Sequence, residues 1–366
     1  MTRERRSGTL VRSILAVVAI AITHAAYGQQ QIVVTSWGGA YQDAQRKAYF
    51  EPFTKETGIK VIEATGPDAA KIKAMVSSGN VEWDIVDVSE ATVLVLSEQG
   101  LAMPIDYGKF DTQTLSGIPT EFRLPNAVGN ETWSVVMAYR NDRFPDPPKS
   151  WKDFWDTAKF PGKRAFLDSS FVAPVLEIAL LADGVDPKNM YPVDMQRAFR
   201  SLSKLRPHVV KWTGSSGVMQ QMLTDGEADL VAIANGRMEG IQKAGVPAGF
   251  TFNQQMILSN YWLVPKGARN AEAAMRFIAF VSRAEQQAAF VKLAPWGATN
   301  REAFKLVAAG RQSELPTAPT NISSALLSNG QWWPRRAATA RLISKPTSRP
   351  GIPGGLKASD RAAVAL

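Results

Sequence analysis

From Gln31 to Val88 the chain alternates short β-branched apolar runs with stretches of helical periodicity, and this alternation limits the possible fold more than any other feature. QIVVTS, residues 31–36, reads as a strand closed by Gly38-Gly39. Tyr41 to Phe53 predicts a helix with Tyr41, Ala44 and Ala48 on one stripe, and Pro52 should kink or split it. Gly58 suits a helix C-cap, and Ile59 to Ile62 returns as a strand. A second helix follows Pro67 and stops at Gly79, and Trp83 to Val88 is the third strand. Strand, helix, strand, helix, strand is the signature of a parallel α/β sheet with helices on its faces.

The pattern recurs after residue 139. Arg164 to Leu167, Asp229 to Ala234 and Tyr261 to Val264 read as strands. Pro174 to Ala182, Asp194 to Leu205, Gly217 to Thr224 and Ala271 to Val281 read as helices. With 366 residues and no short-period repeat, two α/β lobes are the simplest organisation.

The two ends differ from this body. Arg3, Arg5, Arg6 and Arg12 precede an apolar run over 14–22, then Ala26-Tyr27-Gly28, so residues 1–28 are expected to be a secretory signal peptide. The run is too short to span a bilayer, which takes about 20 apolar residues. From Pro334 onward the text is rich in Pro, Gly and basic residues, and 335–366 is expected to be an atypical, disordered basic tail. The net charge of +9 resides in these ends: the segment between them holds 31 basic and 31 acidic residues. A nucleic-acid surface is therefore not expected. The chain has no cysteine, which excludes disulfides, thiol catalysis, thiolate metal sites and a lipid anchor on an N-terminal cysteine. The expected location is the periplasm.

Several stretches in order, "SWGGAYQDA", "FTKETGIKV", "WDIVDVSEA", "SWKDFWDTAKFPGKRAF" and "YWLVPKGARNAEAAMRFIAFVS", resemble the extracellular solute-binding proteins of ABC transporters, in particular the spermidine/putrescine-binding group. The similarity runs from about Ile32 to Trp333. It implies the two-lobed, type II periplasmic-binding-protein fold, with a hinge of crossing strands and a ligand cleft between lobes. Lobe 1 would comprise 30–138 plus 263–322, and lobe 2 would comprise 139–262 plus 323–334. The family usually ends in an amphipathic helix that this text lacks, which suggests a changed reading frame near the end. The partners implied are a small solute and an inner-membrane ABC permease with its ATPase; a monomer, no cofactor and no metal are expected.

Ligands in open α/β sheets sit at the carboxyl ends of strands. Trp37, Gly38, Gly39 and Tyr41 occupy such an end, where glycines admit close backbone approach and an indole face attracts an ammonium or stacks on an apolar stem. Ligand contact is expected of Trp37 and Tyr41, with core packing as the alternative. Ser89 matches a family position that hydrogen-bonds solute. Glu90 beside it could pair with an amine, although an exposed helix-start carboxylate is the commoner role. Asp168 and Ser169 end another strand, as an N-cap or as ligand contacts in equal measure. Trp133 divides equally between core and cleft lining. Asn235 and Arg237 follow the strand ending at Ala234; Arg237 could clamp a carboxylate, but bracing the surface between lobes is the expected role. Asn260 completes the candidates.

The departures concern the solute. Where polyamine binders of the family place carboxylates and aromatics, this chain has Asn260, Leu258, Ala234, Phe171 and Pro174. A dication without paired carboxylates is poorly compensated, so a monoamine, an amino acid, an opine-like zwitterion or another small polar solute is the expected ligand. A secreted enzyme is the first rival, but the only histidine beyond the signal is His208, and "TGSSGV" is not a nucleophile elbow. Ferric-ion binding is the second rival, and it relies on adjacent tyrosines that the seven here do not provide. Sensing rather than transport would need the same closing cleft.

Overall fold

The computed structural model describes residues 30–168, 174–329 and 332. The expected signal segment, Ser169 and the basic tail lie outside them. Within the described residues the strands are β1 Gln31–Ser36, β2 Lys60–Thr65, β3 Ile85–Ser89, β4 Arg123–Leu124, β5 Ala127–Arg140, β6 Arg164–Phe166, β7 Val209–Trp212, β8 Leu230–Ala234, β9 Ala248–Leu263, β10 Gly297–Ala298 and β11 Leu326–Leu327. They form one hydrogen-bonded sheet in the order β2-β1-β3-β9-β5-β8-β6-β7, with β4 and β10 on β5 and β11 on β9. The outer strands on each side run parallel, β2-β1-β3 at one end and β8-β6-β7 at the other. The two long strands β5 and β9 run antiparallel through the middle and join the halves.

Local chemistry explains most of the boundaries. The first helix is α1 Gly39–Gln45, a π turn at Arg46–Phe50, and α2 Glu51–Thr57. Pro52 has no N–H to give the Ala48 carbonyl, and the wider turn before it accommodates that loss without ending the helix. Gly58 and Gly79 take left-handed conformations at φ 73° and 71° and terminate α2 and α3 Ala69–Ser78. Asp68 caps α3 by accepting from the Lys71 N–H at 2.7 Å. The later helices α5 Pro174–Ala182, α6 Met195–Leu205, α7 Ser216–Thr224 and α8 Ala271–Val281 match the sequence expectation within a residue, and α9 Ala284–Leu293 follows. α4 Glu90–Glu98 lies directly after β3.

Two separate hydrophobic cores fill the halves. One gathers residues from Ile32 to Val128 and from Tyr261 to Ala318, around Trp262, Tyr49, Phe53, Phe277 and Phe290. The other gathers Val135 to Met256 and Leu326, around Trp151, Phe154 and Phe166. The changeover falls inside the long strands, between Val128 and Val135 on β5 and between Met256 and Tyr261 on β9. There the ladder is irregular: Val135 pairs with Met256 but Met137 pairs with Thr251, so Phe252–Gln255 bulge out of register. In this bulge Gln254 has a φ of 57°, costly for a residue with a Cβ. Trp151 holds it, its backbone N–H donating to Gln254 Oε1 at 3.0 Å and its indole N–H to the Gln254 carbonyl at 2.8 Å.

Candidate functional site

The carboxyl ends of β1 and β3 meet the middle of β9 and β5 in one row. Ser36 closes β1, Ser89 pairs with Asn260, Asn260 also pairs with Glu131, and Leu258 pairs with Trp133. Trp37 leaves β1 with half its surface exposed, at 51%. The turn that presents it needs glycine: Gly38 and Gly39 sit at φ 74° and 58°. The Gly38 N–H donates to Gln42 Oε1 at 3.0 Å, and Gln42 Nε2 donates to Glu63 at 3.0 Å, so the turn is fastened to β2.

Tyr41 is placed otherwise than Trp37. Its ring is buried edge-on against Phe290 and Trp296, and its hydroxyl donates to Asp87 Oδ2 at 2.7 Å. The same hydroxyl lies 3.2 Å from Glu131 Oε1. Ser89 caps α4 by accepting from the Thr92 N–H at 3.4 Å. Glu90, in the first turn of α4, adds to burial in pushing the Tyr261 phenol upward. Trp133 and Asn260 are half-buried, with Trp133 against the second core. Asp168 is half-buried at the end of the β6 segment, its N–H bonded to the Thr213 carbonyl.

Asn235 is buried and spends its amide within the protein: Oδ1 accepts from the Ser134 N–H at 2.9 Å, and Nδ2 donates to the Pro295 carbonyl at 2.7 Å. The second bond stitches the end of β8 to the segment entering β10. Arg237, two residues on, is exposed, and no ion pair engages it among the described residues.

Sequence reasoning missed three residues here. Trp296 is half-buried, its ring centroid 5.0 Å from that of Tyr41, and a Cβ on Gly236 would lie 3.6 Å from its Cζ2. It therefore bridges the first core and the loop that carries Arg237. Its Trp-Gly step repeats that of Trp37-Gly38 and was the available signal. Asp87 and Glu131 are the other two, both buried. Asp87 is pushed up to about 6 by burial, against hydrogen bonds from Tyr41, Gln45, Ser36 and Trp37 that lower it. Glu131 is held well above the usual carboxylate range by burial and then by the Asp87 charge. Among the described residues, no group of three or more histidine or acidic side chains is placed to hold a metal ion.

An α/β sheet with two cores joined through paired long strands, and aromatic and polar groups at the junction, defines a two-lobed binding protein. The sequence pattern of the family described as "Bacterial extracellular solute-binding protein" matches residues 48–317, and the chain belongs to that family, the substrate-binding components of ABC transporters. It is 35% identical over 336 residues to the gamma-aminobutyric acid-binding protein of Pseudomonas aeruginosa, covering 88% of this chain and 92% of that one. It is 26% identical over 299 residues to the spermidine/putrescine-binding periplasmic protein 1 of Haemophilus influenzae, covering 77% and 79%. Among solved structures, an ABC transporter substrate-binding protein from Bradyrhizobium japonicum superposes with a TM-score of 0.80 at 38% identity, covering 85% of this chain and 97% of that one. The expected class and fold are thus found, and the ferric-ion and enzyme alternatives are not favoured. Among the described residues, no helix is long and apolar enough to cross a membrane.

Proposed function

We propose that the protein is a periplasmic, monomeric, non-catalytic receptor for a small zwitterion bearing one ammonium and one carboxylate, of the 4-aminobutanoate type, which it delivers to an ABC permease. The observation that carries the reading is Arg237, an exposed guanidinium without an ion-pair partner among the described residues, set one loop beyond β8 beside the Trp296 that reaches Tyr41. A guanidinium takes a carboxylate in bidentate fashion. Trp37 supplies an exposed aromatic face for an ammonium or its methylene stem. Asn260, where polyamine binders carry an acid, removes the second counter-charge a diamine would need. The named gamma-aminobutyric acid relative supports the same solute class.

In this reading residues 1–28 are removed on export, the lobes divide at 30–138 plus 263–322 and 139–262 plus 323–334, and solute touching both lobes stabilises the closed form by its differential affinity. Trp37, Gly38, Gly39, Tyr41, Ser89, Glu90, Trp133, Asp168, Asn235, Arg237 and Asn260 line or support the cleft, with Tyr41 and Asn235 acting from beneath.

A thermal-shift screen of amines, amino acids and opines on protein lacking residues 1–28 tests this, followed by calorimetry. The expected ligand is 4-aminobutanoate or a close ω-amino acid. Arg237→Ala should weaken it about ten- to a hundredfold, the scale of a charged hydrogen-bond pair, with the melting temperature of the free protein unchanged. Trp37→Ala should cost about two- to thirtyfold. Tight binding of putrescine or spermidine, with Arg237→Ala indifferent, refutes the assignment.

A further inference from the structure

We infer that Glu131 carries a proton at neutral pH, so that the buried Asp87–Tyr41–Glu131 set holds one negative charge, on Asp87, which serves as the counter-charge for the solute's ammonium. The location of the proton stands on geometry; the counter-charge role rests on the zwitterion reading above.

Counting hydrogens fixes the arrangement. Asp87 Oδ2 accepts from Ser36 Oγ at 3.2 Å, Tyr41 Oη at 2.7 Å, Gln45 Nε2 at 3.0 Å and Asn130 Nδ2 at 2.9 Å. Four donors converging on one oxygen mark the ionised carboxylate. A phenol has one hydrogen, and Tyr41 gives it to Asp87, the nearer acid. Asn130 Nδ2 donates to the Tyr41 oxygen at 3.0 Å. Glu131 Oε1 therefore faces an oxygen with no hydrogen to offer, and Glu131 Oε2, like Asp87 Oδ1, has no partner among the described residues, so that Glu131, unlike Asp87, receives no donor at either oxygen. A buried carboxylate without donors costs several kcal/mol. A neutral carboxylic acid donating to the free lone pair of Tyr41 satisfies both groups, giving the chain Glu131 O–H to Tyr41 O–H to Asp87.

The surroundings agree. The groups that face this set are Ser36, Trp37, Tyr41 and Gln45 from the β1–α1 segment, Tyr49 from the π turn, and Asn130 from β5. Tyr49 is fully buried, its hydroxyl unpartnered among the described residues and its phenol held protonated by burial and by the Asp87 charge. No lysine or arginine pairs with either carboxyl among the described residues. Burial raises both acids, but donors from four residues hold Asp87 down, whereas the Asp87 charge raises Glu131 further, so the proton falls to Glu131.

Position turns this chemistry into selectivity. Residues two apart on a strand share a face, so Asp87 lies behind Ser89 on β3 and Glu131 behind Trp133 on β5. Tyr41, in the first turn of α1, follows Trp37 by four residues. The Asp87 charge thus sits beside two candidate contacts, Ser89 on its own strand and Trp37, whose side chain donates to it, out of reach of solvent screening. A single counter-charge suits a monocation and leaves the second ammonium of a diamine uncompensated.

Two measurements decide the matter. Carbon-13 carboxyl NMR of the ligand-free protein at pH 7, with the Glu131 resonance assigned by its loss in Glu131→Gln, should show a protonated acid; an ionised Glu131 overturns the inference. Calorimetry with 4-aminobutanoate should give about tenfold weaker binding for Asp87→Asn and a change under about twofold for Glu131→Gln, each with a native near-ultraviolet circular dichroism spectrum. Equal effects, or none from Asp87→Asn, overturn the counter-charge. Wild-type protein that takes up no ammonium solute sinks the counter-charge together with the zwitterion reading, while the carboxyl spectrum still decides where the proton resides.

Discussion

Replacing Trp262 by alanine is expected to lower the unfolding free energy by about 3–5 kcal/mol, the range for removing a large aromatic from a core. Trp262 lies on β9, the strand that links the two halves of the sheet, in register with Asp87 on one side and Val128 on the other. Its side chain is 1% exposed and makes edge contacts with Phe277 and Tyr49, centroids 5.7 and 6.5 Å away. The neighbours on both strands and on α8 are already closely packed, so collapse into the vacated volume is resisted and the cavity persists. Urea denaturation followed by circular dichroism measures the loss. A value under about 1 kcal/mol would mean that this core is far looser than its burial implies.

The second large effect is a dependence of stability on pH that runs opposite to ordinary acid denaturation. Asp87 ionises at about 6 in the folded chain, against a reference value of 3.8. A raised folded value means that the native state holds the proton more tightly than the unfolded chain does. The resulting stabilisation is complete below about pH 4 and is lost as pH rises through about 6. The shift corresponds to about 3 kcal/mol, and Glu131 acts in the same direction. Asp111, Asp142 and Asp183 are lowered by a cap or by arginine neighbours, so their contributions grow as pH rises and mask part of the trend. The comparison is therefore made against Asp87→Asn: the difference in unfolding free energy, wild type minus variant, should fall by about 3 kcal/mol between about pH 4 and pH 7. A difference that is flat or rises with pH would rule out a raised Asp87.

Much of this architecture was legible in the sequence because its cues are local. The β1-helix-β2-helix-β3 alternation, the Gly58 and Gly79 stops and the limits of α8 depend on residues a few positions apart. The length of β9 was not legible. AGFTFNQQMIL, residues 248–258, mixes polar and apolar side chains because the strand passes from one core to the other and bulges between them, so neither period-2 alternation nor a continuous apolar run survives. In the site, the exposed Trp37 and its two left-handed glycines could be anticipated from a Trp-Gly-Gly step. The Asp87–Tyr41–Glu131 set could not, since its members are as much as 90 positions apart and meet only once β1, β3 and β5 have assembled. Asn235 read as a cleft residue, yet its amide is consumed by Ser134 and Pro295, because the loop after β8 must be anchored to the opposite half.

The way the first core is divided along the chain bears on the order in which the molecule can acquire its structure. Residues 32–128 supply most of its sheet and helices, but Trp262, Phe277, Phe290 and Leu315 complete it from much later positions. Among the described residues the second core draws its buried members from the intervening span, 135–256, and from Leu326, with Trp133, Leu258 and Trp332 packed against it. As the polypeptide emerges amino end first, the half begun earliest must wait, partly assembled, until the half inserted within it has been made. The nested segment is thus the first that can reach a native-like state on its own contacts.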